Sequence, residues 1–156
     1  MVKMDKSEDI KKIQEQADSH ARSLVAIVRA VERKYGEEGK NAVKEAWLEE
    51  VYYRPWKKIG ESVKKNDVQT LAKLIEEGCF GTHEWERVVD EPNRVAYKFT
   101  KCRWAEIFKE LGATDIGKWF CDSDPVYVKA FNPNIKFKRT KTLMDGCEYC
   151  DHVFYI

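Results

Sequence analysis

The spacing of apolar residues divides the chain into a helical first half and a second half that contains strands. From Ile10 to Val31, apolar residues recur every three or four positions, the spacing of one face of an α-helix. Ser7 is a suitable N-cap and Gly36 a suitable stop for this helix. The pattern therefore predicts one long amphipathic helix at the start of the chain.

Three further helices are predicted before residue 80. Apolar positions repeat at helical spacing over residues 41–53, and Pro55 is expected to interrupt this helix because proline removes a backbone donor. A short helix is expected to resume at Trp56. Asn66 and Asp67 then form a capping signal for a helix over residues 68–77.

The periodicity changes to two after Gly81. Residues 82–89 and 94–101 alternate between apolar and polar, and the turn residues Glu91, Pro92 and Asn93 separate the two runs. This is the pattern of an antiparallel hairpin.

Two helices and a second hairpin are predicted in the last third. Residues 102–111 have helical spacing, a short helix follows Thr114, and Asp124–Pro125 is expected to begin one more helical turn. Residues 134–144 and 147–156 are predicted strands, joined at a tight Asp145–Gly146 turn.

The order of helices, two strands, two helices and two strands predicts an α+β fold in which N-terminal helices pack with a four-stranded antiparallel sheet. We expect one domain over residues 1–156. Residues 1–80 form its helical part, and residues 81–156 form the sheet part with the candidate site.

Composition narrows the classes of function. The 156 residues carry 28 Lys and Arg against 27 Asp and Glu, a net charge of +1, which argues against nucleic-acid binding. No apolar run is long enough to span a membrane, and the N-terminus has no apolar segment typical of a secretion signal. Together with five cysteines, an odd number, these features favour free thiols in the cytoplasm.

The candidate chemistry lies between residues 101 and 156. Arg139 shares a strand face with two apolar residues, so we expect it to pair with an anion, either a protein carboxylate or a substrate carboxylate. Cys121 precedes Asp122 and Asp124 at a predicted helix start, where backbone donors stabilise a thiolate. A buried cysteine beside a capping aspartate is the alternative interpretation.

Cys147 and Cys150 form a C-x-x-C pair that is weak evidence for a metal site. Positions three apart on a strand point to opposite faces, and no second C-x-x-C pair is present. We therefore predict no metal and no other cofactor, with a structural zinc protein as an alternative.

The spacing of these residues resembles the L-2-amino-thiazoline-4-carboxylic acid hydrolase family. The pattern is Cys102 … Leu111-Gly112 … Cys121-x-x-Asp124 … Arg139 … Gly146-x-x-x-Cys150-Asp151. His152 stands where this resemblance leads us to expect an aromatic residue.

The resemblance implies a hydrolase that opens a thiazoline ring to give N-carbamoyl-L-cysteine. It implies catalytic roles for Cys121, Asp124 and Cys150, with Cys121 as nucleophile and Asp124 activating water or holding the amidine nitrogen. The implied substrate-binding residues are Arg139 for the carboxylate, His83 and Trp104 for the ring, and Asp151.

Two other classes of function stay open. A small-molecule sensor would use the same pocket without turnover. The broad apolar face of the first helix also permits a helix-mediated homodimer, although burial within one subunit explains that face equally well.

Overall fold

The computed structural model describes residues 6–156. The predicted α+β class, the four antiparallel strands and the order of elements are confirmed. Residues 1–5, on which part of the expectation about a secretion signal depends, lie outside the described range. The elements are α1 (Lys6–Trp47), a π-helical segment (Leu48–Tyr53), α2 (Arg54–Ser62), α3 (Val68–Cys79), β1 (His83–Glu91), β2 (Arg94–Cys102), α4 (Arg103–Glu110), α5 (Thr114–Phe131), β3 (Lys136–Lys138) and β4 (Cys150–Tyr155).

Gly36 kinks the first helix rather than ending it. Its backbone has φ 65° and ψ −158°, a non-helical conformation inside the range of α1. Positive φ is easily adopted only by glycine. No atom lies within 4 Å of the position that a Cβ would take, so the backbone conformation, not space, accounts for glycine here.

Pro55 does not break the helical path as predicted. The chain widens into the π-helical segment and enters α2 directly, so that Pro55 lies in the first turn of α2. The Arg54 N–H donates to the Glu49 carbonyl five residues earlier, and this widened turn accommodates the proline without ending the helical path. The widened segment carries Tyr52, whose side chain reaches the interior.

The sheet has the strand order β1-β2-β4-β3, and every neighbouring pair is antiparallel. Alternation along the two central strands places one set of side chains against α3 and α5. This inner face contains Val95, Tyr97, Phe99, Cys150 and Phe154, all of them buried.

The last two strands are shorter than predicted, and the prediction of a tight connecting turn is wrong. Residues 139–149 form a long loop between β3 and β4. The turn at Asp145–Gly146 exists, but it closes inside this loop, where the Gly146 N–H donates to the Leu143 carbonyl at 3.0 Å. Side chains rather than a strand ladder satisfy much of the backbone here, since the Cys150 sulfur accepts from the Leu143 N–H at 3.1 Å.

Two apolar clusters build the core, and α5 contributes to both. One lies between the sheet, α3 and the C-terminal half of α5; the other joins α1 and α4 to the N-terminal half of α5. None of the helices in the described range is long and apolar enough to cross a membrane.

Candidate functional site

A cavity of about 230 Å³ lies between the inner face of the sheet and the helices above it. Its lining comes from the π-helical segment, α2 to α5, β1, β2, β4 and the loop 139–149. Six aromatic side chains with phenyl, phenol or indole rings form much of the wall: Tyr52, Trp56, Phe99, Trp104, Phe120 and Tyr127.

The cavity brings together five of the seven predicted site residues. Cys121, Asp124, Cys150, His83 and Trp104 all line it, from four different elements. The residues are far apart in the chain, and the packing of β1, β4, α4 and α5 around the cavity brings them together. Cys102, the first residue of the family-like pattern, lines the same cavity.

Arg139 does not line the cavity, but it contacts Asp124, which does. Its Nη1 donates to Asp124 Oδ2 at 2.5 Å and to the Cys121 carbonyl at 3.0 Å. The partner of Arg139 in the structure is therefore a protein carboxylate. The neighbouring Asp122 points elsewhere and pairs with Lys44 at 2.5 Å.

Pro125 explains why the Cys121 carbonyl is free to accept from Arg139. The prediction that a new helix begins at Asp124–Pro125 is wrong, because α5 runs unbroken from Thr114 to Phe131 with Pro125 inside it. A proline in a helix interior has no N–H for the carbonyl four residues earlier, which here is that of Cys121. Arg139 supplies the missing donor, and this second contact fixes the guanidinium beside Asp124.

Burial makes Asp124 a group that titrates near neutral pH. Loss of solvent raises the pKa of its carboxyl to about 7, against the opposing influence of Arg139 and of a hydrogen bond from Tyr127. The carboxyl can therefore accept and return a proton under ordinary conditions.

The cavity thiols are protonated at neutral pH. Burial raises the pKa of Cys121 and of Cys102 to about 12, and it also raises the pKa of Cys79 and Cys150. Cys121 lies in the interior of α5, so it lacks the helix-terminus donors that the sequence led us to expect. The Cys102 sulfur instead caps α4, accepting from the Ala105 N–H at 3.4 Å.

Two histidines on the sheet side of the cavity are neutral. Burial lowers the pKa of His83 to about 4 and that of His152 to about 3. His83 Nδ1 lies 2.8 Å from the Thr82 hydroxyl, whereas His152 Nε2 lies 3.8 Å from Asp124 Oδ2. His152 Nδ1 is buried without a hydrogen-bond partner.

Asp151 is not part of the cavity lining. Its carboxylate accepts from the Thr140 and Lys141 N–H groups at 2.8 and 2.6 Å and from the Thr140 hydroxyl. These bonds hold the start of the loop 139–149, next to Arg139. Asp151 thus supports the loop that covers the cavity.

The C-x-x-C pair is split between two environments. Cys147 is exposed, whereas Cys150 is buried. Residues 6–156 contain no group of three or more His, Cys, Asp or Glu side chains placed to hold a metal ion. A zinc-binding interpretation therefore has no ligand cluster in this part of the chain.

Sequence reasoning missed the tyrosines that support the site. Tyr127 hydrogen-bonds Asp124, and Tyr52 hydrogen-bonds Ser123. The i, i+3 spacing of Asp124 and Tyr127 was a usable signal, since such residues share a helix face. No comparable signal identified Tyr52, because the π-helical segment that places it is not evident in the apolar pattern.

Comparison with known proteins gives one family. The family model described as L-2-amino-thiazoline-4-carboxylic acid hydrolase matches residues 16–154. No curated protein and no solved structure matches the chain. The match spans the cavity-lining residues from Tyr52 to His152.

Proposed function

The chain belongs to the L-2-amino-thiazoline-4-carboxylic acid hydrolase family, and on that premise we propose that it is a hydrolase that adds water to the amidine-like carbon of a small five-membered ring. The reaction type is the conversion of L-2-amino-thiazoline-4-carboxylate into N-carbamoyl-L-cysteine. The observation that carries the proposal is a buried carboxyl, Asp124, with a pKa of about 7 in the wall of a small, largely aromatic cavity.

Asp124 acts as the general base in this mechanism. It takes a proton from water as the water oxygen bonds to the ring carbon between nitrogen and sulfur. The carbon–sulfur bond then breaks as the added hydroxyl becomes the carbamoyl carbonyl. The hydroxyl proton passes to the ring nitrogen, and Asp124 returns the first proton to the leaving sulfur, which becomes a thiol. Arg139 and Tyr127 hold the carboxyl during both transfers. A base with a pKa near the working pH suits this exchange.

Water rather than Cys121 is the proposed nucleophile. A thiol with a pKa of about 12 is almost entirely protonated at neutral pH, and only the thiolate attacks efficiently. Cys121 and Cys150 are then uncharged contacts to the ring, and Trp104 and His83 form its walls.

The experiment compares turnover in the wild type, Asp124→Asn and Cys121→Ala, with L-2-amino-thiazoline-4-carboxylate as the first compound and mass spectrometry to detect the gain of one water. We expect about a 100-fold loss of turnover in Asp124→Asn, the scale of a lost general base, and less than about a tenfold change in Cys121→Ala. Circular dichroism verifies that both variants are folded. Undiminished turnover in folded Asp124→Asn contradicts the proposal, and complete loss in Cys121→Ala restores the thiol as nucleophile.

A binding or sensor protein without turnover is the second candidate. It is favoured by the neutral state of every cavity thiol and by the largely aromatic wall, which suit ligand retention. Saturable binding of small cyclic amidines without any ring opening is the result that identifies this class.

A further inference from the structure

The hydrogen bonding of His152 is incomplete. This residue lies on the inner face of β4, between Cys150 and Phe154, and it lines the cavity. Its side chain is only 12% exposed. Among residues 6–156, His152 Nδ1 is the only buried side-chain nitrogen or oxygen atom without a hydrogen-bond partner. Such atoms are rare because they lower the stability of the fold, so the presence of a histidine here requires a reason.

Packing does not supply that reason. The ring centres of Phe99, Phe137 and Phe154 lie 4.9, 5.4 and 6.2 Å from the ring centre of His152. A phenyl ring at position 152 would make aromatic contacts of the same kind without burying an unpaired nitrogen. The feature that distinguishes the imidazole from a phenyl ring at the cavity wall is its other nitrogen, Nε2.

The distance from Nε2 to Asp124 suits a shared water molecule. Nε2 lies 3.8 Å from Asp124 Oδ2. A direct hydrogen bond from an N–H to a carboxylate is about 2.7–2.9 Å long, whereas a polar pair separated by more than about 3.5 Å suits a bridging water. The imidazole is neutral at pH 7, because burial lowers the pKa of His152 to about 3. With its hydrogen on Nδ1, the ring presents Nε2 as a second acceptor beside the carboxylate.

We infer that His152 Nε2 and Asp124 Oδ2 together hold the water that attacks the ring carbon of the substrate. The water donates one O–H to each acceptor, which leaves an oxygen lone pair for the carbon. Asp124 takes the first proton, as in the proposed function on which this inference rests. His152 accepts a hydrogen bond and stays neutral, so the atoms and protons of the proposed reaction balance as before.

The test measures ring opening of L-2-amino-thiazoline-4-carboxylate by the full chain and by His152→Phe. We expect kcat to fall about 10- to 100-fold, the scale of a misplaced reacting group, and KM to change less than about threefold. The melting temperature should stay the same or rise, because the phenyl ring buries no unpaired nitrogen. A loss of kcat without a loss of stability separates this role of His152 from a structural one.

His20→Phe is the matched control. His20 contacts Trp104 and Phe120, with ring centres 5.8 and 6.0 Å away, but it is exposed and does not line the cavity. We expect the same substitution there to leave kcat and KM unchanged. His152→Gln places an amide oxygen at about the reach of Nε2, and it should recover part of the kcat that His152→Phe loses.

Three results overturn the inference alone, beside an active wild type. The first is an undiminished kcat in folded His152→Phe, and the second is a higher KM with kcat unchanged, since His152 would then contact the ligand rather than the water. The third comes from nitrogen-15 NMR of the histidine rings, which distinguishes protonated from bare nitrogens and is assigned by the signals that His152→Phe lacks. We expect the hydrogen of His152 on Nδ1, and a hydrogen on Nε2 contradicts its role as an acceptor.

A wild type that opens no ring contradicts the proposed function instead. In that case, the NMR measurement on the wild type still decides whether Nε2 is the bare nitrogen that the shared water requires.

Discussion

Helix α5 carries two aspartates, Asp115 and Asp124, that each pair with an arginine but have pKa values shifted in opposite directions. Asp115, near its N-terminus, accepts from Arg29 at 2.7 Å and from Lys40 at 2.7 Å, and its side chain is 43% exposed. Asp124, in the second half of the helix, accepts from Arg139 at 2.5 Å and is 14% exposed. Arg29 and Lys40 hold the pKa of Asp115 well below its usual range, whereas burial raises that of Asp124 to about 7.

The comparison shows that solvent, not the presence of an arginine, decides the role of each aspartate. Water and two cations stabilise the charge on Asp115. Because both cations, Arg29 and Lys40, belong to the kinked α1, these ion pairs link α1 to the start of α5. Asp124 has one cation and little water, so its charged form is barely favoured. A carboxyl in that condition can transfer protons, which is the property that the proposed hydrolysis requires.

The largest expected difference between the two pairs is in stability. Arg139→Met keeps the apolar stem and removes the charge, and we expect it to lower the free energy of unfolding at pH 9 by about 3–5 kcal/mol, because Asp124 is charged there in the wild type and the variant lacks the cation that balances it. Arg29→Met should cost less than about 1 kcal/mol, as is usual for pairs near the surface. Urea denaturation measures both. Equal losses of unfolding free energy in the two variants would show that burial does not decide how much an ion pair contributes to stability.

The loss of stability in Arg139→Met should also depend on pH. Below about pH 7, Asp124 is protonated in the wild type and in Arg139→Met, so the deficit of Arg139→Met should become smaller. A deficit that stays constant from pH 9 to pH 5 would mean that Arg139 contributes through packing alone.

The second prediction concerns the pH dependence of stability. The folded state binds a proton at Asp124 more tightly than the unfolded state, so this group's contribution falls as the pH rises from about 4 to about 7. The free energy of unfolding of Asp124→Asn minus that of the wild type should therefore rise over this window by up to about 4 kcal/mol. Contributions of His83 and His152 are common to both proteins and largely cancel in the difference.

Asp115→Asn is the control with the opposite sign. The lowered pKa of Asp115 means that its contribution is present above the ordinary value of 3.8 and is lost as the pH falls below it. The difference in unfolding free energy between Asp115→Asn and the wild type should stay constant between pH 5 and pH 7. Acid and urea denaturation series give both curves, and parallel curves for the two variants would contradict the assignment.

The smallest expected effect is that of Gly117→Ala, between the two aspartates on α5. A Cβ there would lie 2.7 Å from Met144 Sδ and 2.8 Å from Phe108 Cβ. We expect a net loss of about 1–2 kcal/mol, because overpacking exceeds the gain in helix propensity. Since Met144 lines the cavity, ligand affinity should fall as well. Gly78→Ala has open space around its Cβ and should be neutral or slightly stabilising in the same thermal scans.

The predictions that held depend on local periodicity. The long first helix, the hairpin of β1 and β2 and the helix α4 follow from apolar spacing, because side-chain direction repeats within each element. The predictions that failed concern Gly36, Pro55, Pro125 and the turn at Asp145–Gly146. At the last two sites, side chains from outside the predicted helix start or turn provide hydrogen bonds to the backbone, from Arg139 to the Cys121 carbonyl and from the Leu143 N–H to Cys150.

The sequence alone determined the class of fold, the order of its elements and the inventory of thiols, acids and guanidinium groups in its last third. Tertiary structure decided which of them share a cavity and in what charge state. Asp151 and Asp124 look equivalent in the sequence, yet one holds a loop and the other lines the cavity. The physical reason is that the pKa of a carboxyl depends on the solvent it loses and the charges it meets, and both come from chain segments far away along the sequence.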